Sequence, residues 1–155
     1  MTSVRVSLID VYVLRGADSE LELLVLRRAP GGRCPGSWEC VHGHIDAGEQ
    51  PAAAAIRELK EETGLIPLRL YNLSRVEAFY QHRTDEVALI PVFAAFVAGD
   101  AVVRMSGEHD GFEWLSPAEA GARLAWPRER RALLDIVVLL RGGDAGAVDD
   151  VLRVC

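Results

Sequence analysis

Cysteine is scarce in this chain of 155 residues, with Cys34, Cys40 and Cys155 making up the whole supply. A small, odd set excludes a disulfide framework and fits a reducing compartment, so a cytoplasmic location is expected. Long apolar runs are missing as well. The stretch 132–140 is apolar apart from Asp135 and too short to cross a bilayer, so it is expected as a buried helix, with no membrane partner. The first apolar run carries Asp10 and has no small-residue cleavage site, which reads as a strand rather than a signal peptide. Nor is there a basic excess: 17 Lys and Arg against 23 Asp and Glu leave a formal charge of −6. That balance argues against long nucleic acid as a partner. No internal repeat, low-complexity tract or domain linker is visible.

What remains is an ordinary globular composition, 50% apolar and 26% charged. The length suits one domain with a proper core. We place that domain at residues 1–142, with 143–155 as a tail that is mobile or forms a short last helix over Val148–Val154. Val4–Leu14 and Leu21–Leu26 read as a hairpin around Gly16 to Ser19. Residues 29–37 are rich in glycine and proline and form a loop, and Trp38–Val41 is a short strand. Arg69–Gln81 and Glu86–Val97 are two longer strands about the turn His82–Asp85, and Phe112–Leu115 is a short one. Helices are expected from Pro117 to Leu124 and from Pro127 to Arg141, each opened by proline. Strands on both sides of a mid-chain helix describe an α/β sandwich around a mixed sheet.

The mid-chain helix is the informative element. Pro51 suits a first turn, four alanines and Leu59 propagate it, and Gly64 can take the left-handed conformation that ends it, giving a helix from about Pro51 to Thr63. Ala52, Ala55, Ile56 and Leu59 form a small apolar stripe that should pack on a sheet. Glu58 and Glu62 are four apart and share a face, with Glu61 on the neighbouring edge. Like charges at these spacings repel, so helix propensity does not account for them. A hard divalent cation does, because Mg²⁺ takes carboxylate oxygens, keeps several waters and bridges to phosphates. Arg57 can reach Glu61 or hold Glu49 in its planar fork, and reads as an orienting group.

Residues 43–65 run from Gly43 through five residues to Glu49, then seven more to Arg57-Glu58-Leu59-Lys60-Glu61-Glu62-Thr63-Gly64-Leu65. This stretch resembles the Nudix signature, with Gly43, Glu49, Arg57, Glu58, Leu59, Glu61, Glu62, Gly64 and Leu65 filling its fixed positions. The resemblance implies a Nudix-fold α/β/α sandwich around a mixed β-sheet, and a loop and helix that hold divalent cations against a substrate diphosphate. The lead-in Trp38–Glu49 departs from the more usual Pro-Gly-Gly. It and the segment Glu108–Ala120 are similar to the dihydroneopterin triphosphate and deoxynucleoside triphosphate pyrophosphohydrolase branch. On that resemblance Glu58 and Glu62 are the principal metal ligands and Glu61 a ligand or water-holding group. Glu108 is a further ligand or the base, and the Gly43 carbonyl contributes too. The cofactor is Mg²⁺, with Mn²⁺ as a substitute.

Arg28 and Arg33 are candidates for phosphate positioning, and Trp38, His42, Tyr80 and His82 for contact with a planar base or pterin. Cys40, His42 and His44 alternate along a strand, but structural zinc wants four ligands in paired spacings. The two histidines read better as variants within the motif loop. The expected activity is Mg²⁺-dependent hydrolysis of a nucleoside diphosphate linked to another moiety. A nucleoside or pterin triphosphate giving monophosphate and pyrophosphate comes first. A dinucleoside polyphosphate or nucleotide sugar, or a non-catalytic nucleotide-binding regulator, stands as the alternative. The expected partner is a small phosphorylated molecule, and the apolar last helix leaves both monomer and homodimer open.

Overall fold

Alternation along the central strands sorts the core into two layers. The computed structural model describes residues 1–155, with β1 at Ser3–Val6, β2 at Leu8–Arg15, β3 at Glu22–Arg28, β4 at Trp38–Glu39 and β5 at Val41–His44. Then come α1 at Pro51–Thr63, β6 at Arg69–Gln81, β7 at Glu86–Phe96, β8 at His109–Leu115, α2 at Pro117–Arg123, α3 at Pro127–Leu140 and α4 at Asp149–Leu152. In β2, Ile9, Val11 and Val13 point to the α1 side, where Ala54, Ala55 and Leu59 pack on them. Tyr12 and Leu14 point to the opposite side, among Ala132, Leu133, Ile136 and Leu140 of α3. The same two-residue period splits β3 and β7, so helices cover both faces of a mixed sheet. This is the α/β/α sandwich expected.

The sheet's topology opens a gap at one end. β7 pairs antiparallel with β6 on one edge and parallel with β1 and β2 on the other. The outer edge of β2 is shared, since Leu8–Val11 pair with β5 while Leu14 and Arg15 pair with β3. β3 then diverges to pair with β4 and β8. Between the diverging β2 and β3, the short strands β4 and β5 fill the wedge and lead directly into α1.

Several boundaries differ from expectation for identifiable reasons. The first apolar run is two strands, because the pairing with β7 gains one residue between Val6↔Leu89 and Asp10↔Val92. The slip lies beside Pro91, which has no N–H to offer the ladder. Trp38–Val41 is likewise broken at Cys40, whose N–H donates to the Glu129 carboxylate at 2.6 Å instead of to a strand. β8 begins at His109 rather than Phe112. On α1 the buried residues are Ala54, Ala55, Leu59, Glu62 and Thr63, whereas Ile56 is 37% exposed. The helix is therefore rotated relative to the expected stripe, and the rotation carries Glu62 inward. Gly64 closes it at φ 72°, its N–H donating to the Lys60 carbonyl. Past residue 142 the chain lies against β6: Leu152 is buried, and the Val154 N–H donates to the Leu70 carbonyl at 2.8 Å. No helix is long and apolar enough to cross a membrane.

Candidate active site

Gly43 and Arg57 bind the β5–α1 loop to the helix. A Cβ at residue 43 would overlap the Glu58 carboxyl group, so only glycine allows the strand this close to the helix. Arg57 grips Glu49 with two parallel hydrogen bonds of 2.9 and 2.8 Å. It also donates to Glu58 at 2.9 Å, to Glu61 at 3.2 Å and to the His44 carbonyl at 2.8 Å. These bonds, Arg57's above all and then the Asp46 N–H, hold Glu49 down at about 2. Arg57 thus spends its donors on orienting others. Glu61, with 57% of its side chain exposed, turns out to this arginine.

Glu62 is only 4% exposed, and its Oε2 has no hydrogen-bond partner. Burial first, then the charges of Glu108, Glu58 and Glu39, push its carboxyl up to about 9, against a smaller pull from the His42 N–H. Glu58 is raised by burial, with Arg57 opposing and Glu61 and Glu108 adding to the rise. A buried orphan oxygen among carboxylates that raise one another is the donor set a hard divalent cation satisfies. The Gly43 cradle presses Glu58 into the same place. In the side-chain positions shown, no three of these groups converge at coordinating geometry. Ions of this kind complete their shells with water and phosphate oxygens.

The carboxylates open into a cleft of about 900 Å³ lined also by Gly43, His42, His44, Arg28, Arg33, Tyr80, His82 and Glu108. Glu108 is exposed at the turn before β8, with its carbonyl held by the Ala29 N–H at 2.9 Å. Tyr80 and His82 stand on the β6–β7 hairpin, where the Tyr80 hydroxyl donates to Asp85 at 3.1 Å. Arg33 is exposed on the loop. Arg28 lines the cleft with two of its nitrogens engaged, Nη1 donating to Glu39 at 2.8 Å and Nε to the Arg33 carbonyl at 2.5 Å. Trp38 lies elsewhere, half-buried against the α3-side core between the guanidinium groups of Arg27 and Arg123. Trp126 takes the place at the cleft that the sequence suggested for Trp38, edge-on to Phe79.

Four further polar residues at the site escaped the sequence reading. Glu39 is buried and accepts from His109 Nε2 at 2.9 Å as well as from Arg28. Burial raises its carboxyl, but His109 and Arg28 outweigh that and leave it below its ordinary range. Asp10 is fully buried and bonded to His42 and Arg128; these two outweigh burial and lower it, and Asp10 in turn raises His42 against the effect of burial. Glu39 and His109 are 70 residues apart, and Asp10 and Arg128 118 apart, so no local spacing signals either pair. The one available hint was a lone Asp within the apolar run of β2.

The NUDIX domain model matches residues 5–136. The chain belongs to the Nudix family. Among curated Nudix relatives, the asymmetrical bis(5'-nucleosyl)-tetraphosphatase of Rattus norvegicus is 33% identical over 76% of this chain and 78% of its own length. An octanoyltransferase of Myxococcus xanthus is 38% identical over 75% of this chain, a match that spans only 32% of that longer protein. The structure of the E. coli dihydroneopterin triphosphate pyrophosphohydrolase superposes with a TM-score of 0.66 at 22% identity, covering 89% of this Nudix chain and 99% of that one. At that identity the likeness speaks for the fold.

Proposed function

We propose that this Nudix hydrolase cleaves a phosphoanhydride bond in a nucleoside or pterin triphosphate with Mg²⁺, releasing monophosphate and pyrophosphate. One observation carries the reading: Glu62, buried with an orphan oxygen and crowded by Glu58, Glu108 and Glu39, has no use in the fold that a neutral side chain would not serve better. Divalent ions, when bound, neutralise phosphate oxygens and align the chain for in-line attack by water. Glu58, Glu62 and the Gly43 carbonyl would hold them, with Glu61 at the outer edge as a ligand or water-holding group. Glu108, exposed and lining the cleft, is free to accept the proton of the attacking water or to complete the metal shell. Arg57 fixes the loop and Glu58 so that neither swings away when substrate arrives. Arg33, His42, Tyr80 and His82 would meet the rest of the substrate.

A second reading, hydrolysis of a dinucleoside polyphosphate, is favoured by the 33% identical tetraphosphatase relative. Hydrolysis across nucleoside triphosphates, dihydroneopterin triphosphate, dinucleoside polyphosphates and nucleotide sugars, with and without Mg²⁺, separates the two. Turnover of one class that is lost in Glu62→Gln supports the metal-helix chemistry. No turnover with any divalent ion, in a protein whose melting temperature still rises with nucleotide, leaves a binding module instead.

A further inference from the structure

Asp10 is the third residue of β2 and the one charged side chain between Leu8 and Leu14, and it is 0% exposed. The register of β2 against β5 sets it directly across from His42, whose Nδ1 lies 2.6 Å from Asp10 Oδ1. From the first turn of α3, Arg128 donates to both carboxylate oxygens, through Nε at 2.9 Å and Nη2 at 3.2 Å. Burying such a carboxylate with its partners is seldom a gain over well-packed apolar side chains. Nothing in the packing of β2 demands it. What its partners share is their position, since His42 and Arg128 both line the cleft.

Arg128 is the cation best prepared for an anionic ligand there. Two of its three nitrogens are fixed on Asp10, and Nη1 has no protein acceptor. Its side chain is 12% exposed, so the head is held rather than free to wander. Arg28 also has two nitrogens engaged, Nη1 on Glu39 and Nε on the Arg33 carbonyl, but it is split between two partners rather than forked on one carboxylate and is more exposed, at 21%. A carboxylate-rich cleft that admits a polyphosphate needs fixed positive charge beside whatever cations it binds. We propose that Arg128 binds the substrate's phosphate chain through Nη1, and that Asp10 is the positioning residue that aims it, with His42 bracing the same carboxylate.

The inference rests on the polyphosphate reading of the cleft, and two measurements keep the two apart: steady-state kinetics with Mg²⁺, and calorimetric binding of inorganic tripolyphosphate in EDTA. Arg128→Gln is expected to raise KM and weaken tripolyphosphate binding by about tenfold or more, the worth of a charge-assisted hydrogen bond, with kcat within about threefold. Arg128→Lys keeps the charge and should recover part of the loss. Asp10→Asn should match Arg128→Gln, and the double variant should be no worse than either single one, because both remove the same contact. If Asp10→Asn does not fold, the two Arg128 variants decide. Folded Arg128→Gln with unchanged KM and tripolyphosphate affinity overturns the proposal. A wild-type protein that hydrolyses nothing, yet binds tripolyphosphate in a way that depends on Arg128, overturns the hydrolase reading and keeps the contact.

Discussion

The two walls of the cleft treat buried charge in opposite ways. On the α3 wall, Asp10 is met by Arg128 and His42, and its carboxyl is held below its ordinary value. On the α1 wall, Glu62 is met chiefly by other carboxylates, and burial and then their charges drive its own up to about 9. Both groups are buried, Asp10 at 0% and Glu62 at 4% exposure, so burial is not what separates them. Compensation is. A buried carboxylate with its cations already in place is part of the frame, and one crowded by its own kind is a place where something positive has to come.

Glu62→Gln tests that contrast most severely. Turnover should fall on the order of a thousandfold, as expected for removal of a group that acts on the reacting atoms. The rise in melting temperature that Mg²⁺ gives the parent should shrink as well. If Asp10→Asn depresses kcat more than Glu62→Gln does, the walls have been assigned the wrong way round. Gly43→Ala comes next. Its Cβ must displace the Glu58 carboxyl, and misplacement of about 1 Å at such a site costs about a hundredfold in kcat. Single-turnover kinetics would show whether the loss falls on the chemical step. Arg57→Lys keeps the charge but loses the two-pronged hold on Glu49, and the rate should fall about tenfold, with the melting temperature little changed because the network is partly exposed.

How much of this was legible in the sequence follows from where each partner lies along the chain. The α1 wall was readable because its parts lie within residues 43–65, where helix geometry converts spacing into direction. The expected limits of that helix, about Pro51 to Thr63, are those observed, since proline at its start and glycine after its end leave little freedom. Its rotation was misjudged, because Ile56 was assumed to belong to the buried stripe and Ala54 was left out of it. Once Gly43 admits Glu58, the helix must turn Ala54 and Glu62 toward the sheet. The α3 wall could not be read locally. Asp10, His42 and Arg128 belong to three elements that meet only through the register of β2 with β5 and the packing of α3. Trp38 was placed at the cleft and Trp126 passed over for the same reason. Both are aromatic residues beside a loop, and only the tertiary fold shows which one stands over the cleft.

Glu129 is the exception on the balanced wall and yields the smallest effect. It is 0% exposed, accepts from the Cys40 N–H through Oε2 and leaves Oε1 without a partner. Burial, and then the charge of Asp10, raise it to about 7 from the ordinary 4.5. The folded state therefore keeps a proton that the unfolded chain gives up, and stability falls as pH rises from about 4.5 to about 7, then levels off. Glu129→Gln keeps a carbonyl for Cys40 and removes the charge, so the variant should equal the parent near pH 5 and exceed it by about 2 kcal/mol at pH 8. Urea unfolding at the two pH values measures this directly, and kcat should stay within about twofold, because Glu129 lies behind Asp10 and does not line the cleft. A change in KM instead would mean that strain at Cys40 reaches His42 along β5, and the α3 wall would then be a transmitting element rather than a fixed frame.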